Sequence, residues 1–248
     1  MAMPPSPSAA APGPVPPLEP LGSLWARARA PGPGFRDRAA GNPALGASVR
    51  ELLLVRTGPA LAALVLDYLG LARAYGRLVR TQGPLWNLLL ARLPESLDPA
   101  AVRSALHGLP PAPAWWRALP WLVLLAPVGV LSLWLHHSVW DHLALWLLKG
   151  RPRSVRTTLV AEAEALKVGV IGVLAALLRP LGWPFAVLLL PVAVYFWILR
   201  GYALAAWHGC PAWKGVLATL VHGALLGLMV LGLVAAVAVL LFLAAPLG

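Results

Sequence analysis

Long apolar runs constrain the fold of this chain more than any other feature of its 248 residues. The main runs extend over 119–148, 184–199 and 216–243, near the length of about 20 residues with which a helix crosses the hydrocarbon core of a bilayer. Charged residues make up only 12% of the chain, about half of the globular norm of roughly 25%. The sequence therefore predicts an all-α, polytopic membrane helical bundle.

Five transmembrane helices are expected within a membrane domain that covers residues 52–248. The predicted spans are 52–72, 119–148, 168–178, 184–199 and 216–243. The third and fourth spans are short and are predicted to form a helical hairpin. Between the first two spans, residues 73–118 are predicted to form an extramembrane cap. In this cap, Asp98 is the expected N-cap of a short helix that begins with Pro99 and stops at Gly108.

The amino-terminal region is predicted to have two parts. Residues 1–20 are rich in proline and lack the basic and apolar regions of a signal peptide, so we expect a disordered tail. Residues 21–51 form an amphipathic lead-in, in which Leu24, Trp25 and Phe35 are interspersed with arginines. This composition suits a segment on the membrane surface, and equally a solvated linker.

The distribution of positive charge predicts the orientation. With five spans, the amino terminus and the loops 149–167 and 200–214 share one side, which holds thirteen of the twenty Lys and Arg residues when Arg56 snorkels to it. This side should be cytoplasmic. If 52–72 does not cross, the later spans reverse their orientation. Residues 1–118 and Arg179 then share a side that also holds thirteen Lys and Arg residues, so charge alone does not decide. The excess of Arg over Lys, with abundant Ala, Leu, Pro and Gly, favours a bacterial source and hence the inner membrane.

The net charge of +11 does not predict nucleic-acid binding, because the basic residues flank the apolar runs. They are typical of contacts with lipid headgroups or with a membrane or cytoplasmic partner protein. The candidate contact residues in the loop are Lys149, Arg151, Arg153 and Arg156. The lone cysteine, Cys210, excludes an internal disulfide.

Polar residues inside apolar sequence are functional candidates by default. They are Asp67, His137, Asp141, His142 and His222. Asp67 has an alternative interpretation, in which it lies near the far headgroups and pairs with Arg73 or Arg77.

The histidines in "LHHSVWDHLALWLLKGRPRSVR" do not share a helix face. At 100° per residue, they and the aspartate point to about 0°, 100°, 140° and 240° for His136, His137, Asp141 and His142. Only His137 and Asp141, at i and i+4, could act together. We expect them to form a local pair near the cytoplasmic interface, reached by Arg151 or Arg153.

A metal site is the alternative for this segment. It would need further ligands from His208 or His222 on other segments, whereas the membrane di-iron oxygenases repeat their histidine motifs along the chain. Glu162 and Glu164, at i and i+2, diverge on a helix and are expected to pair with the basic loop. No catalytic constellation is recognised, so neither an enzyme activity nor a cofactor is predicted.

The last span carries a "GALLG" spacing of small residues, Gly223 and Gly227, that lets helix backbones approach closely. The approach could be within one chain or between two, so a homo-oligomer is possible.

Residues 119–243 resemble the Yip family, the Ypt/Rab-interacting multispan membrane proteins, in its bacterial branch. The resemblance is carried by "DHLALWLLKG", the basic "RPRSVRTTLVAEAEA", the hairpin of short helices and "ILRGYALAAWHGCPAWKGVLATLV". The small-residue and proline pattern of bacterial members and the eukaryotic "DLYGP" signature are absent. The resemblance implies a five-helix bundle with a cytoplasmic amino terminus and no enzyme activity.

Three functions are therefore considered. The first is a non-enzymatic membrane protein that organises membrane or partner proteins through the basic cytoplasmic loop. The second is a small transporter or channel that uses Asp67, His137 and Asp141. The third is a metal-dependent membrane enzyme.

Overall fold

The computed structural model describes residues 19–80, 98–150, 153–177 and 183–244. These residues form nine α-helices and no strand, so the described part of the chain is the predicted all-α bundle. The helices are α1 (Leu21–Arg29), α2 (Pro31–Ala40), α3 (Leu45–Val79), α4 (Pro99–His107), α5 (Trp115–Leu147), α6 (Val155–Val168), α7 (Val170–Ala176), α8 (Trp183–His208) and α9 (Ala212–Ala244). Nearly all of the predicted tail, and Arg151, lie outside the described residues.

Within the described residues, four helices are long and apolar enough to cross a membrane. Their apolar stretches are Leu45–Arg77, Trp115–Leu147, Leu189–His208 and Ala212–Val239, with mean hydropathies between 1.6 and 2.4. They contain or overlap four of the predicted spans. Leu228, Leu231 and Leu233 on α9 are each at least 65% exposed, which is the surface that lipid would cover. Prolines inside α3, α5 and α8 are tolerated, as is common in transmembrane helices.

One end of the bundle collects basic residues and is called the basic end. Helix α8 ends at the basic end, where the backbone N–H of Arg153 donates to Nδ1 of His208, the last residue of α8, at 2.8 Å. Helix α5 ends and α9 begins at the same end, since Lys214 Nζ, near the start of α9, donates to the carbonyl of Lys149, just after α5, at 3.1 Å. Since α8 therefore begins at the far end, the chain must traverse the bundle between α5 and α8.

Helices α6 and α7 make this traverse, and they differ from the predicted third span. The sequence placed an apolar crossing at 168–178, but the structure has a polar helix that ends at Gly169 and then seven residues of α7. Helix α7 alone is far shorter than the about 20 residues that a crossing needs. The described part of the chain is thus a bundle of four apolar helices around an interrupted fifth segment.

Helix α6 lies at the centre of the bundle and packs on α3, α5 and α8. Its start is fixed by Ser154, whose Oγ accepts a hydrogen bond from Thr157 N at 3.3 Å. Its last nine residues are all buried, and the alanines among them leave room for neighbouring helices on every side. A helix with two glutamates and a lysine in this position needs partners for each charge.

The lead-in is part of the folded bundle. Helices α1 and α2 contribute Leu24 and Phe35 to a buried cluster with Leu199 and Trp207 of α8. The Phe35 and Trp207 rings meet edge to face at 6.3 Å. Such burial is incompatible with a solvated linker, one of the two interpretations of residues 21–51.

The predicted cap contains the predicted short helix. In α4, Asp98 Oδ1 accepts a hydrogen bond from Ala100 N at 2.9 Å, and Gly108 is the C-cap. Helix α3 runs on to Val79, so the cap begins later than residue 73. The hydroxyl of Tyr75 donates to the Pro110 carbonyl at 2.8 Å and ties the segment before α5 to α3.

Two glycines outside the "GALLG" spacing let α8 and α9 approach closely. A Cβ on Gly201 would collide with the backbone of Val216, and one on Gly215 would lie 3.0 Å from Ala205 N. Within the predicted spacing, a Cβ on Gly223 would lie 3.2 Å from the Trp197 ring, so this residue packs within the chain. Gly227 faces open space.

Candidate functional site

A buried ionic cluster joins four helices near the basic end, and we call it the Arg200 cluster. It consists of Asp141 on α5, Glu162 on α6, Arg200 on α8 and His222 on α9. Arg200 donates through Nε to Glu162 Oε2 at 3.0 Å and through Nη2 to Asp141 Oδ2. None of the four side chains is more than 6% exposed.

The Arg200 cluster is neutral when it holds one extra proton. With both carboxylates ionised and His222 neutral, its formal charge is one negative unit, which is costly in a buried site. The Nδ1 atom of His222 lies 2.6 Å from Asp141 Oδ1, so this nitrogen carries a proton and donates it. Two atoms, Glu162 Oε1 and His222 Nε2, have no partner among the described residues. The cluster therefore carries one negative charge that a single added proton would neutralise.

The predicted pair of His137 and Asp141 is wrong. The carboxylate of Asp141 contacts Arg200 and His222, whereas His137 stacks edge to face on Trp197 at 6.3 Å. Arg200 was not among the predicted site residues, because the predicted span ended one residue before it, at position 199. In "FWILRGYALAAWHG" the apolar pattern continues past the arginine, and this was the available signal that the helix goes on.

His142 belongs to a separate hydrogen-bond chain. Because His208 Nδ1 accepts from the Arg153 backbone, its Nε2 carries the proton and donates to Thr158 Oγ1 at 2.9 Å. The Thr158 hydroxyl then donates to His142 Nδ1 at 2.8 Å. Arg153, which was expected to reach the histidine and aspartate pair, thus meets His208 through its backbone.

The histidines do not converge on a metal position. No group of three His, Cys, Asp or Glu side chains that could hold a metal ion occurs in the described parts of the chain. The segment that suggested such a site instead supplies Asp141 to one network and His142 to another.

A second buried cluster, the Glu164 cluster, joins the lead-in to α6. Its members are Glu19, Arg27, Arg38, Ser48, Glu51, Glu164 and Lys167. Glu164 accepts from Arg27 Nη1 at 2.9 Å and from Lys167 Nζ at 2.8 Å. The other cation, Arg38, donates to the same carboxylate at 3.1 Å. Three carboxylates meet three cations, so this cluster is balanced in charge.

The prediction for the two glutamates is half correct. Glu162 and Glu164 diverge, as expected at i and i+2, and enter different clusters. Their partners are not in the basic loop but come from α8, from α6 itself and from the lead-in, whose arginines were expected at lipid headgroups.

Two of the four candidate contact residues of the loop, Arg153 and Arg156, line a polar cavity of about 630 Å³ at the basic end. We call it the basic pocket. Its polar lining is Arg36, Asn42, Arg153, Arg156 and Thr157. The three arginines are exposed and form no ion pair within the described residues. Lys149 is exposed nearby, with a left-handed backbone at φ 50° after α5.

Asp67 and Arg56 line a different cavity, of about 580 Å³, inside the bundle. Asp67 is exposed, and neither Arg73 nor Arg77 forms an ion pair with it in the described part of the chain. Arg56 was expected to snorkel to the interface. It is buried instead, and its Nη1 donates to the Leu166 carbonyl at 3.2 Å.

The fold and its apolar helices define the class: an integral, multi-pass membrane protein built as an all-α bundle. Comparisons with protein-family models, with curated proteins and with solved structures found no match to this chain.

Proposed function

We propose that this integral membrane protein has a non-enzymatic role, in which the basic pocket binds anionic lipid headgroups at the cytoplasmic surface and so organises the membrane around it. The observation that carries the proposal is the contrast between paired and unpaired cations at one end of the bundle. The arginines of the pocket have no carboxylate partner among the described residues, while the cations of the two buried clusters are all matched.

The paired set is Arg27, Arg38, Lys167 and Arg200, each in contact with at least one carboxylate. The unpaired set is Arg36, Arg153 and Arg156. Since the interior is built close to neutral, the positive excess of this end faces outward. A guanidinium binds phosphate oxygens well, because its planar fork can donate two parallel hydrogen bonds.

The pocket lies at the level where a headgroup would be found. Its wall includes Trp207, near the end of the apolar stretch Leu189–His208. Trp213 lies exposed at the start of α9, with the ammonium of Lys214 over its ring. Aromatic and basic residues are typical of this interface. Anionic lipids of a cytoplasmic leaflet attract each nearby Lys or Arg with about 1 kcal/mol.

The resemblance to the Yip family supports the same proposal. It implies a five-segment bundle without enzyme activity, and its basic segment supplies Arg153 and Arg156. We propose membership of that family, a bacterial inner membrane, and a cytoplasmic basic end in accordance with the positive-inside rule. Lipid headgroups are preferred over an acidic partner protein because the pocket borders the end of an apolar span.

The test is binding of a short-chain phosphatidylglycerol to the full-length protein in phosphatidylcholine nanodiscs. The variant Arg36→Gln/Arg153→Gln/Arg156→Gln should bind about a hundredfold more weakly, from about 1 kcal/mol for each arginine. The control Arg73→Gln/Arg77→Gln/Arg80→Gln removes the same charge elsewhere and should bind like the natural chain. An equal loss of phosphatidylglycerol binding in the pocket variant and the control variant would mean that net charge alone explains the effect. Unchanged binding in the pocket variant would refute the proposal and leave an acidic protein as the alternative occupant.

A proton transporter is the second candidate, favoured by the unpartnered Glu162 Oε1 and His222 Nε2 of the Arg200 cluster. Proton flux into liposomes would be compared between the natural chain and Asp141→Asn. Flux that depends on Asp141 would support this candidate, and absence of flux would remove it.

A further inference from the structure

The cavity of about 580 Å³ inside the bundle is separate from the basic pocket and from the Glu164 cluster, and it borders the Arg200 cluster at Arg200 itself. It lies between α3, α5, the α6–α7 break and α8, and its walls are mainly apolar. Representative wall residues are Ala60, Leu64, Leu125, Gly129, Val192 and Phe196. Its volume is within the range of about 300 to 1,000 Å³ in which proteins bind small molecules.

One face of α3 forms a wall with a charge at each end. The residues on this face follow the helical repeat at i, i+4, i+7, i+8 and i+11: Arg56, Ala60, Ala63, Leu64 and Asp67. Eleven residues correspond to about 16 Å along a helix. Arg56 is 9% exposed, whereas Asp67 is exposed. A positive charge therefore lies at the inner end of an apolar wall and a negative charge at the outer end.

The guanidinium of Arg56 is only partly satisfied by the protein. One of its five N–H groups donates to the Leu166 carbonyl near the end of α6, where the helix carries a partial negative charge of about half a unit. Its Nε has no partner, and Arg56 forms no ion pair with any described residue. The other buried arginine that lines the cavity, Arg200, contacts two carboxylates. Arg56 thus retains positive charge in an apolar setting, which favours binding of an anion.

Gly169, at the break between α6 and α7, has no side chain and so leaves space beside Arg56. Helix α6 ends at Gly169, and a Cβ there would lie 3.3 Å from Arg56 Nη1. His137 also lines the cavity, and its Nδ1 has no partner among the described residues. An anionic group at Arg56 would therefore find a second polar atom, His137 Nδ1, in the lining of the same cavity.

We infer that this cavity is a binding site for an anionic amphiphile, with its carboxylate or phosphate paired to Arg56 and its apolar chain along α3, α5 and α8. The apolar walls exclude a fully hydrated anion as the preferred ligand. Asp67 repels an anionic head at the outer end and so fixes the orientation of the ligand. Its source is the surrounding bilayer, in which single-chain amphiphiles such as fatty acids are dissolved.

The probe is radiolabelled oleate, titrated into full-length protein in phosphatidylcholine nanodiscs. We expect saturable binding at one site per chain above the partitioning into empty nanodiscs. Methyl oleate, which lacks the charge, and acetate or inorganic phosphate, which lack the chain, should not compete. Competition by acetate or phosphate at the concentration of oleate would mean that a free anion is the ligand, and the amphiphile assignment would be overturned.

Arg56→Gln should weaken oleate binding by about tenfold or more, since a charge-assisted hydrogen bond is lost. The matched control is Arg77→Gln, which removes an exposed arginine from the same helix outside the cavity and should bind like the natural chain. Unaltered binding to Arg56→Gln would contradict the inference.

A second variant leaves Arg56 and its bond to Leu166 in place. A Cβ on Gly129 meets nothing within 4 Å, so Gly129→Phe can enter the cavity and fill it. This variant should keep the thermal unfolding of the natural chain and lose saturable binding. If it binds oleate as the natural chain does, or if binding is never saturable, the cavity is not the site.

Discussion

Arg200 of α8 bonds to the carboxylate of Asp141 on α5, 59 residues earlier in the chain, inside an otherwise apolar bundle. The same guanidinium holds Glu162 of the central helix α6. His222 of α9 joins through Asp141, so one arginine connects four helices. The cluster therefore fixes the mutual positions of three apolar helices, α5, α8 and α9, and of the interrupted segment.

Removal of this arginine should destabilise the bundle. In Arg200→Met, two buried carboxylates lose their cation, and breaking a buried ion pair costs about 3 to 5 kcal/mol. Thermal unfolding in detergent should show a clear loss of stability. The Asp141→Asn/Arg200→Met double variant should recover part of it, because one unpaired charge is removed. Stability of Arg200→Met equal to that of Arg77→Met would contradict the described geometry.

The Glu164 cluster should control the docking of the lead-in. Glu164→Ala removes the shared acceptor of Arg27, Arg38 and Lys167 and leaves these three cations with only two carboxylates, those of Glu19 and Glu51. One buried positive charge then has no counter-charge, at a cost of about 3 to 5 kcal/mol. We expect faster hydrogen exchange in α1 and α2, measured by mass spectrometry. Asp37→Ala, an exposed carboxylate on α2, is the control and should leave exchange unchanged. Equal protection in the two variants would show that apolar packing alone holds the lead-in.

The crossing of α8 and α9 predicts opposite effects for two glycines on α9. Gly215→Ala would place a Cβ against the backbone of Gly201 and Ala205, so it should lower the unfolding temperature. Gly227→Ala meets open space and should raise stability by up to about 1 kcal/mol, from helix propensity. If both variants change the unfolding temperature in the same direction, the close approach of α9 to another helix lies elsewhere, for example at an interface between two copies.

The thiol of Cys210 should react slowly at neutral pH. Burial raises the pKa of this thiol, and the thiolate is the nucleophile. The rate of maleimide labelling should therefore still rise at pH values where an ordinary thiol, with a pKa of about 8.5, has begun to level off. Ser104→Cys in a Cys210→Ser background provides the exposed comparison. If the two pH profiles coincide, Cys210 is not buried as described.

The apolar part of the fold was predictable from the sequence, and the polar part was not. Run length alone located the four apolar helices, and the sequence around Asp98 located the start of α4. Helix α6 was missed as a traversing segment because its threonines, glutamates and lysine exclude it from any search by hydropathy. Its charges are matched by residues as far as 148 positions away, as for Lys167 and Glu19.

The errors at the candidate site have the same physical origin. The carboxylate of Asp141 was paired with His137, one helical turn away on the same helix, although helix packing brings it to Arg200 of α8. The lead-in arginines were placed at lipid headgroups because nothing local indicates a buried acceptor. The loop cations Arg153 and Arg156 were identified correctly as exposed, since they flank an apolar run and follow a helix end.

The central claim is that the basic end, with its pocket, faces the cytoplasm. The most direct test labels Cys210 with a membrane-impermeant maleimide at elevated pH, in intact and in permeabilised cells, with Ser104→Cys in the Cys210→Ser background as the marker of the opposite side. The account predicts that Cys210 is labelled only after permeabilisation, while the cysteine at position 104 is labelled in intact cells. Labelling of Cys210 in intact cells would place the basic pocket outside and contradict the account.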